Sequence, residues 1–103
     1  MSGLGPIPLL TQAERDSRER LAIWQKGAVI PGYDAREWRY DFEGFAIRWS
    51  DYGNTASKHG WQRDHIHPFV LGGADHISNF RPRHWRANQS AGGALSGLGL
   101  INS

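Results

Sequence analysis

The segment Gly60–Gly93, GWQRDHIHPFVLGGADHISNFRPRHWRANQSAGG, carries four of the chain's five histidines. Its punctuation predicts an order of elements. Trp61 to Ile66 reads as a strand that Pro68 closes, and Gly72-Gly73 mark a loop needing unusual backbone angles. Asn79 to Arg81 reads as a short returning strand. After Pro82, residues 83–91 read as a helix that Gly92-Gly93 end. The local order is therefore strand, long loop, strand, helix.

Within this frame the side chains suit hydrolytic chemistry. Asp64 supplies a carboxylate and Asn88 an amide carbonyl, hard oxygen donors that suit Mg²⁺ or Mn²⁺. His65 is the natural general base, because imidazole titrates near neutral pH. Asp64 and His65 are neighbours on one strand, so their side chains point to opposite faces. That alternation opposes a shared site unless the strand twists or the loop wraps around it. His67 falls on the His65 face.

Upstream, residues 1–10 read as an irregular arm. Thr11-Gln12-Ala13-Glu14 fits a capping box that starts a helix. Ala13, Ser17, Leu21 and Trp24 form its expected buried stripe, Arg15, Arg18, Glu19 and Arg20 its wet face, and Gly27 its end. Pro31-Gly32 marks a turn, and Asp34 caps one helical turn through Glu37. Residues 38–42 and 45–49 read as a hairpin joined at Glu43-Gly44. Trp38, Tyr40 and Phe42 alternate on one strand and Phe45, Ile47 and Trp49 on the other, which predicts a half-buried pair. Residues 51–59 form a polar loop, and 94–103 a Gly-rich tail.

At 103 residues the chain has room for one small domain. It has no cysteine, so no disulfide and no cysteine-bound zinc. It has no apolar run of the roughly 18 residues that cross a bilayer, and no signal-peptide pattern at its start. The expected location is cytoplasmic. Five tryptophans offer large anchors for a core short of aliphatic runs. Net charge is only +2, but residues 58–103 hold five Lys/Arg against two Asp/Glu, whereas residues 1–57 hold seven against eight. A basic face beside the histidine cluster suits a polyanion; chance clustering on a solvated surface is the alternative.

The ordered set Asp64-His65-Ile66-His67-Pro68, Gly72-Gly73, Asn79-Phe80, Pro82 and Asn88 resembles the HNH nucleases of the His-Me finger (ββα-metal) superfamily. His65 precedes Asn79 by 14 residues and Asp64 precedes Asn88 by 24, spacings similar to those of members with an Asp-His pair and a terminal Asn. Upstream, WQKGAVIPGYDAREWRYDFEGFAIRWSDYGNTASKHGW (24–61) looks like the leader of small stand-alone bacterial and phage HNH proteins. The resemblance covers roughly residues 23–93.

It implies an α+β single domain: a ββα-metal core over 58–93, preceded by the helix and hairpin of 11–57. It implies a metal-dependent endonuclease hydrolysing DNA phosphodiester bonds to 5′-phosphate and 3′-hydroxyl ends. One divalent metal, Mg²⁺ or Mn²⁺ with Zn²⁺ or Ni²⁺ as alternatives, would be held by Asp64 and Asn88. His65 would deprotonate the attacking water, and Asn79 would hold the loop and orient that base. Arg63, Arg81, Arg83 and Arg86, with His67 and His84, are the candidate nucleic-acid contacts. The chain departs from the family in three places. His84 and Ala87 stand where many relatives place zinc-binding cysteines. Ala91 replaces a Lys near the helix end, and Arg83 stands where Leu is common.

Each assignment has a plainer counterpart. Asp64-His65 can be a capped turn with a surface histidine, and Asn88 a helix-face residue bonded to the loop. His67 and His84, the latter on one helical face with Asn88, can simply face solvent or pack. Asp75 is expected to cap the loop around Ser78-Asn79. Trp61 and Trp85 are expected in the core rather than as base-stacking platforms. A binding module that kept the fold without catalysis, and a nuclease toxin domain, are the competing functions. Monomer and homodimer are both open.

Overall fold

A computed structural model describes residues 9–89. Helix α1 spans Gln12–Trp24. Its start is the expected capping box: Thr11 Oγ1 accepts from the Glu14 amide at 3.1 Å, and Glu14 Oε2 from the Thr11 amide at 3.2 Å. The buried face differs from the expected stripe. Ala13 and Ser17 are exposed and Leu21 is 46% exposed, while Ile23 and Trp24 are buried. Only the last turns of α1 reach the body. There Glu19 bonds Arg63 and the Arg20 guanidinium lies 4.2 Å over the Tyr52 ring, which turns the Glu19/Arg20/Ile23 face inward. Gly27 does not end the helix by a left-handed turn. A side chain there would meet the Tyr40 carbonyl at 3.0 Å, so its smallness lets the next sheet pass close.

That sheet has three antiparallel strands, β1 (Ala28–Val29), β2 (Trp38–Tyr40) and β3 (Ala46–Arg48), in the order β1-β2-β3. The hairpin is where the alternation put it, and β1 is an addition. The turns are as expected: the Tyr33 amide donates to the Ile30 carbonyl across Pro31-Gly32, and Asp34 Oδ1 accepts the Arg36 amide. The faces, however, are partly inverted. Arg39 pairs with buried Ile47 on the inner side, and Asp41 is buried, while Tyr40, Phe42 and Phe45 are exposed. Polar groups can take the inside because they are matched there. Arg39 donates to the Ala35 and Gly27 carbonyls. Asp41 Oδ1 accepts the Glu43 and Phe45 amides, and its Oδ2 accepts the His84 amide at 2.9 Å.

After a 3₁₀ turn at Trp49–Asp51, strands β4 (Trp61–His65) and β5 (Phe80–His84) form a second antiparallel sheet, with Asp64 opposite Arg81 and His65 opposite Phe80. β5 does not stop at Arg81. It runs through Pro82 to His84, and the helix, α2, begins only at residue 85 and is described to 89. Proline is tolerated because its missing donor falls on the side of β5 away from β4, where no ladder bond is lost. His84 is thus a strand residue and shares no helical face with Asn88. The arm up to residue 8, residues 90 and 91 of the expected helix with its Gly92-Gly93 end, and the tail lie outside the described residues.

The fold is α+β, one small domain with a full helix and two small antiparallel sheets. Its core is Ile23, Trp24, Ile47, Trp61 and Phe80, with Trp49 and Ile77 packed against it. Trp24 meets Trp61 at 5.1 Å and Trp49 at 5.7 Å between ring centroids. Such aromatic pairs contribute about 0.5–1.5 kcal/mol each beyond area burial. The buried indole N–H groups are matched, Trp24 Nε1 on the Ala35 carbonyl and Trp61 Nε1 on that of Trp49. No helix among the described residues is long and apolar enough to cross a membrane.

Candidate functional site

Between α1, Tyr52, β4 and α2 lies a cleft of about 540 Å³, lined by Asp16, Glu19, Arg20, Ile23, Tyr52, Gln62, Arg63, His65 and Asn88. It brings together two of the candidate site residues, His65 and Asn88, with one of the candidate arginines, Arg63.

His65 is the last residue of β4, and a quarter of its side chain is exposed. Its ring stands edge-on to buried Phe80, centroids 5.0 Å apart. Nε2 lies 3.1 Å from Asp75 Oδ1. An imidazole that gives its Nε2 proton to a carboxylate keeps its lone pair on Nδ1, so Nδ1 is the nitrogen left to accept a proton. Asp75 therefore differs from the expected loop cap. His76 caps instead, its Nδ1 accepting the Ser78 amide, and Asp75 is left to reach back to β4.

The loop that places Asp75 is held by its backbone. Gly72 has φ 94°, a left-handed angle that favours glycine, and a Cβ on Gly73 would fall 1.9 Å from the His67 carbonyl oxygen. Asn79 spans the loop. Its Nδ2 donates to the His67 carbonyl at 2.9 Å and the Ala74 carbonyl at 2.8 Å, and its Oδ1 accepts the His67 amide at 2.9 Å. One side chain thus ties the start of the loop to the segment just before Asp75.

Asp64 lies on the other face of β4, as strand alternation requires. Its side chain is 11% exposed, and Oδ2 accepts from Arg81 Nε at 2.9 Å, with Arg83 Nη1 at 3.8 Å. It does not line the cleft that holds His65 and Asn88. Asn88, on α2, donates its Nδ2 to Gln62 Oε1 at 2.9 Å.

The remaining candidates are spread out. His67 sits in the loop after β4, its Nε2 on the Leu71 carbonyl. His84 has both ring nitrogens engaged: Nδ1 accepts the Arg86 amide, and Nε2 donates to the Lys58 carbonyl at 2.7 Å. Three of the four arginines are matched internally, Arg63 to Glu19, Arg81 to Asp64, and Arg83 to Glu43 at 2.8 Å. The Arg81 guanidinium also lies 3.5 Å over the Phe42 ring. Arg86 makes no carboxylate contact among the described residues and lies over the Trp85 ring. Trp61 is fully buried as expected, and Trp85 is half-buried with Nε1 on the Ser57 carbonyl. Among the described residues no three His, Cys, Asp or Glu side chains converge as a metal-binding group.

No family model, no curated protein and no solved structure matches this chain.

Proposed function

We propose that this protein is a metal-dependent endonuclease that hydrolyses DNA phosphodiester bonds, with His65 as its general base. The observation that carries this is the His65–Asp75 pair at the edge of a cleft that Asn88 also lines. A base whose one nitrogen is fixed by a carboxylate, beside a groove that bears Arg20 and Arg63 together with Asp16 and Glu19, has the part needed to activate water. The resemblance of Asp64-His65 through Asn88 to HNH nucleases agrees with it.

The donor types suit a hard divalent ion, though Asp64 lies on the opposite face of β4 from His65 and outside the cleft that Asn88 lines. Among the described residues Asp64 Oδ1 and Asn88 Oδ1 have no hydrogen-bond donor, and each is an oxygen of the type Mg²⁺ and Mn²⁺ take. Asp64 and Asn88 would hold the ion, Asp64 sharing its carboxylate with Arg81. The bound ion supplies charge stabilisation at the phosphoryl and the leaving 3′-oxygen.

The chain's own residues do the rest. His65 Nδ1 takes the proton of the attacking water. Asp75 steadies the imidazolium that results and keeps the ring from turning. Asn79 holds the loop that carries Asp75. Arg63 lines the same cleft with its charge offset by Glu19, so it marks the wall beside the base rather than an unmatched cation. A binding module without catalysis is the second reading, favoured by the guanidinium already seated on Asp64.

Plasmid nicking separates the two. Wild type nicks supercoiled DNA with Mg²⁺ or Mn²⁺, and EDTA stops it. His65→Ala loses about 10²-fold or more, the usual worth of a general base. Asp75→Asn loses less, on the order of tenfold, at unchanged KM, and Asp64→Ala raises the metal concentration required. Equal trace activity of wild type and His65→Ala with every divalent metal would sink the enzyme reading.

A further inference from the structure

A second cleft, of about 480 Å³, opens on the other side of α2, lined chiefly by Phe45, Ser57, Lys58, His84, Trp85 and Arg86. Asn88 lines the first cleft and Arg86 and Ala87 line this one, so α2 divides them. Its wall is a row of rings. Phe45 and His84 are 5.5 Å apart, and His84 and Trp85 are 6.0 Å apart at an interplanar angle of 25°.

The ring edges are already used. His84 is bonded at both nitrogens, and Trp85 Nε1 donates to the Ser57 carbonyl at 2.8 Å. Trp85 already carries the Arg86 guanidinium over its ring, 5.3 Å from the centroid, and lies near-parallel to His84, so the open face of the row is at its Phe45 end. Phe45 extends the row into solvent, 49% exposed. Lys58 and Arg86, both exposed, flank the row. Within residues 58–89 they are the two Lys/Arg without a carboxylate partner among the described residues, since Arg63, Arg81 and Arg83 are each paired. Aromatic faces between unmatched cations are the chemistry of a single-stranded nucleic-acid groove.

We propose that this second cleft binds an unpaired nucleotide, its base stacked on Phe45 at the exposed end of the row and its phosphate held by Lys58 and Arg86. Bases inside a duplex cannot reach such a wall. The cleft therefore favours single-stranded or locally opened DNA whose strand passes around α2 from the His65 cleft. The inference rests on nucleic acid being the ligand proposed above, and not on cleavage.

The test is binding of a fluorescent strand of about 12 nucleotides, by anisotropy in EDTA so that no turnover occurs, beside the same strand with abasic sugars. Wild type binds the normal strand about tenfold more tightly, within the range of one stacked base. Phe45→Ala brings that ratio to near one. Lys58→Gln weakens both strands alike and lowers the salt dependence. Melting curves of both surface variants verify folding. The proposal is overturned if wild type does not distinguish the strands, or if the ratio survives Phe45→Ala. A ratio that collapses in a protein without nuclease activity supports this cleft and refutes the enzyme reading. Normal nicking with an unmoved ratio does the reverse.

Discussion

His65 has one nitrogen bound and, among the described residues, one without a partner, and the loop from His67 to Asn79 decides which. The decisive positions are small. Gly73 packs where a Cβ would fall 1.9 Å from the His67 carbonyl, an atom that cannot swing aside. Gly73→Ala must push the loop outward, and we expect a loss of about 1–3 kcal/mol, the usual range for overpacking. Urea unfolding measures it, and the His65 ring resonances should shift as Asp75 is carried away; an unchanged midpoint would show the loop to be slack. At this scale the sequence was partly legible. Asp64, His65, Asn79 and Asn88 stand out by type and spacing. Asp75 did not, because its partner is ten residues back and contact across a loop leaves no periodic trace. Nor could spacing reveal that Asp64 is met by Arg81, although the register of a hairpin closing after Gly72-Gly73 would have suggested it.

Among the elements, strands were found where alternation put them and turned partly inside out. Apolar alternation names two faces and does not say which is inner when polar groups are fully matched. Asp41 is the clearest case: a buried carboxylate that collects amides from its own hairpin and one from β5. Asp41→Ala strands these amides together, and we expect a loss of roughly 2–4 kcal/mol, less than a simple sum of buried unmatched groups. Chemical denaturation checks it, and a loss under about 0.5 kcal/mol would contradict the role given to Asp41. Glu37 ties the start of β2 to the segment after β3. The Ser50 hydroxyl and then the Arg48 guanidinium on its carboxylate hold it below its ordinary value of 4.5. A depressed folded value means the contribution is present above about pH 4.5 and is lost as pH falls through the folded value. The melting temperatures of wild type and Glu37→Gln should therefore differ at pH 7 and converge as pH falls through the folded value; a gap that widens in acid would contradict this sign. The helix boundary at residue 85 was misplaced because Pro82 reads as a helix start, yet a two-stranded sheet accepts proline in mid-strand.

On the scale of the whole molecule, a chain this short builds its core from a few large rings. Trp24, Trp49 and Trp61 meet within 6 Å of one another and tie α1 to both sheets. That economy was visible in the composition. The charge asymmetry was visible too, but its meaning changed on folding. Most of the arginines in the basic half are spent on internal ion pairs, leaving Lys58 and Arg86 beside the aromatic row. Two clefts on either side of α2 follow from this arrangement, one with the base and one with the rings. The central claim is that His65 Nδ1 takes the proton from water. Its most direct test is chemical rescue of His65→Gly in the plasmid-nicking assay with Mn²⁺. The account predicts that the variant is nearly inactive and that added imidazole restores nicking in proportion to its unprotonated form. A His65→Gly protein that nicks as fast as wild type, with imidazole making no difference, would contradict it.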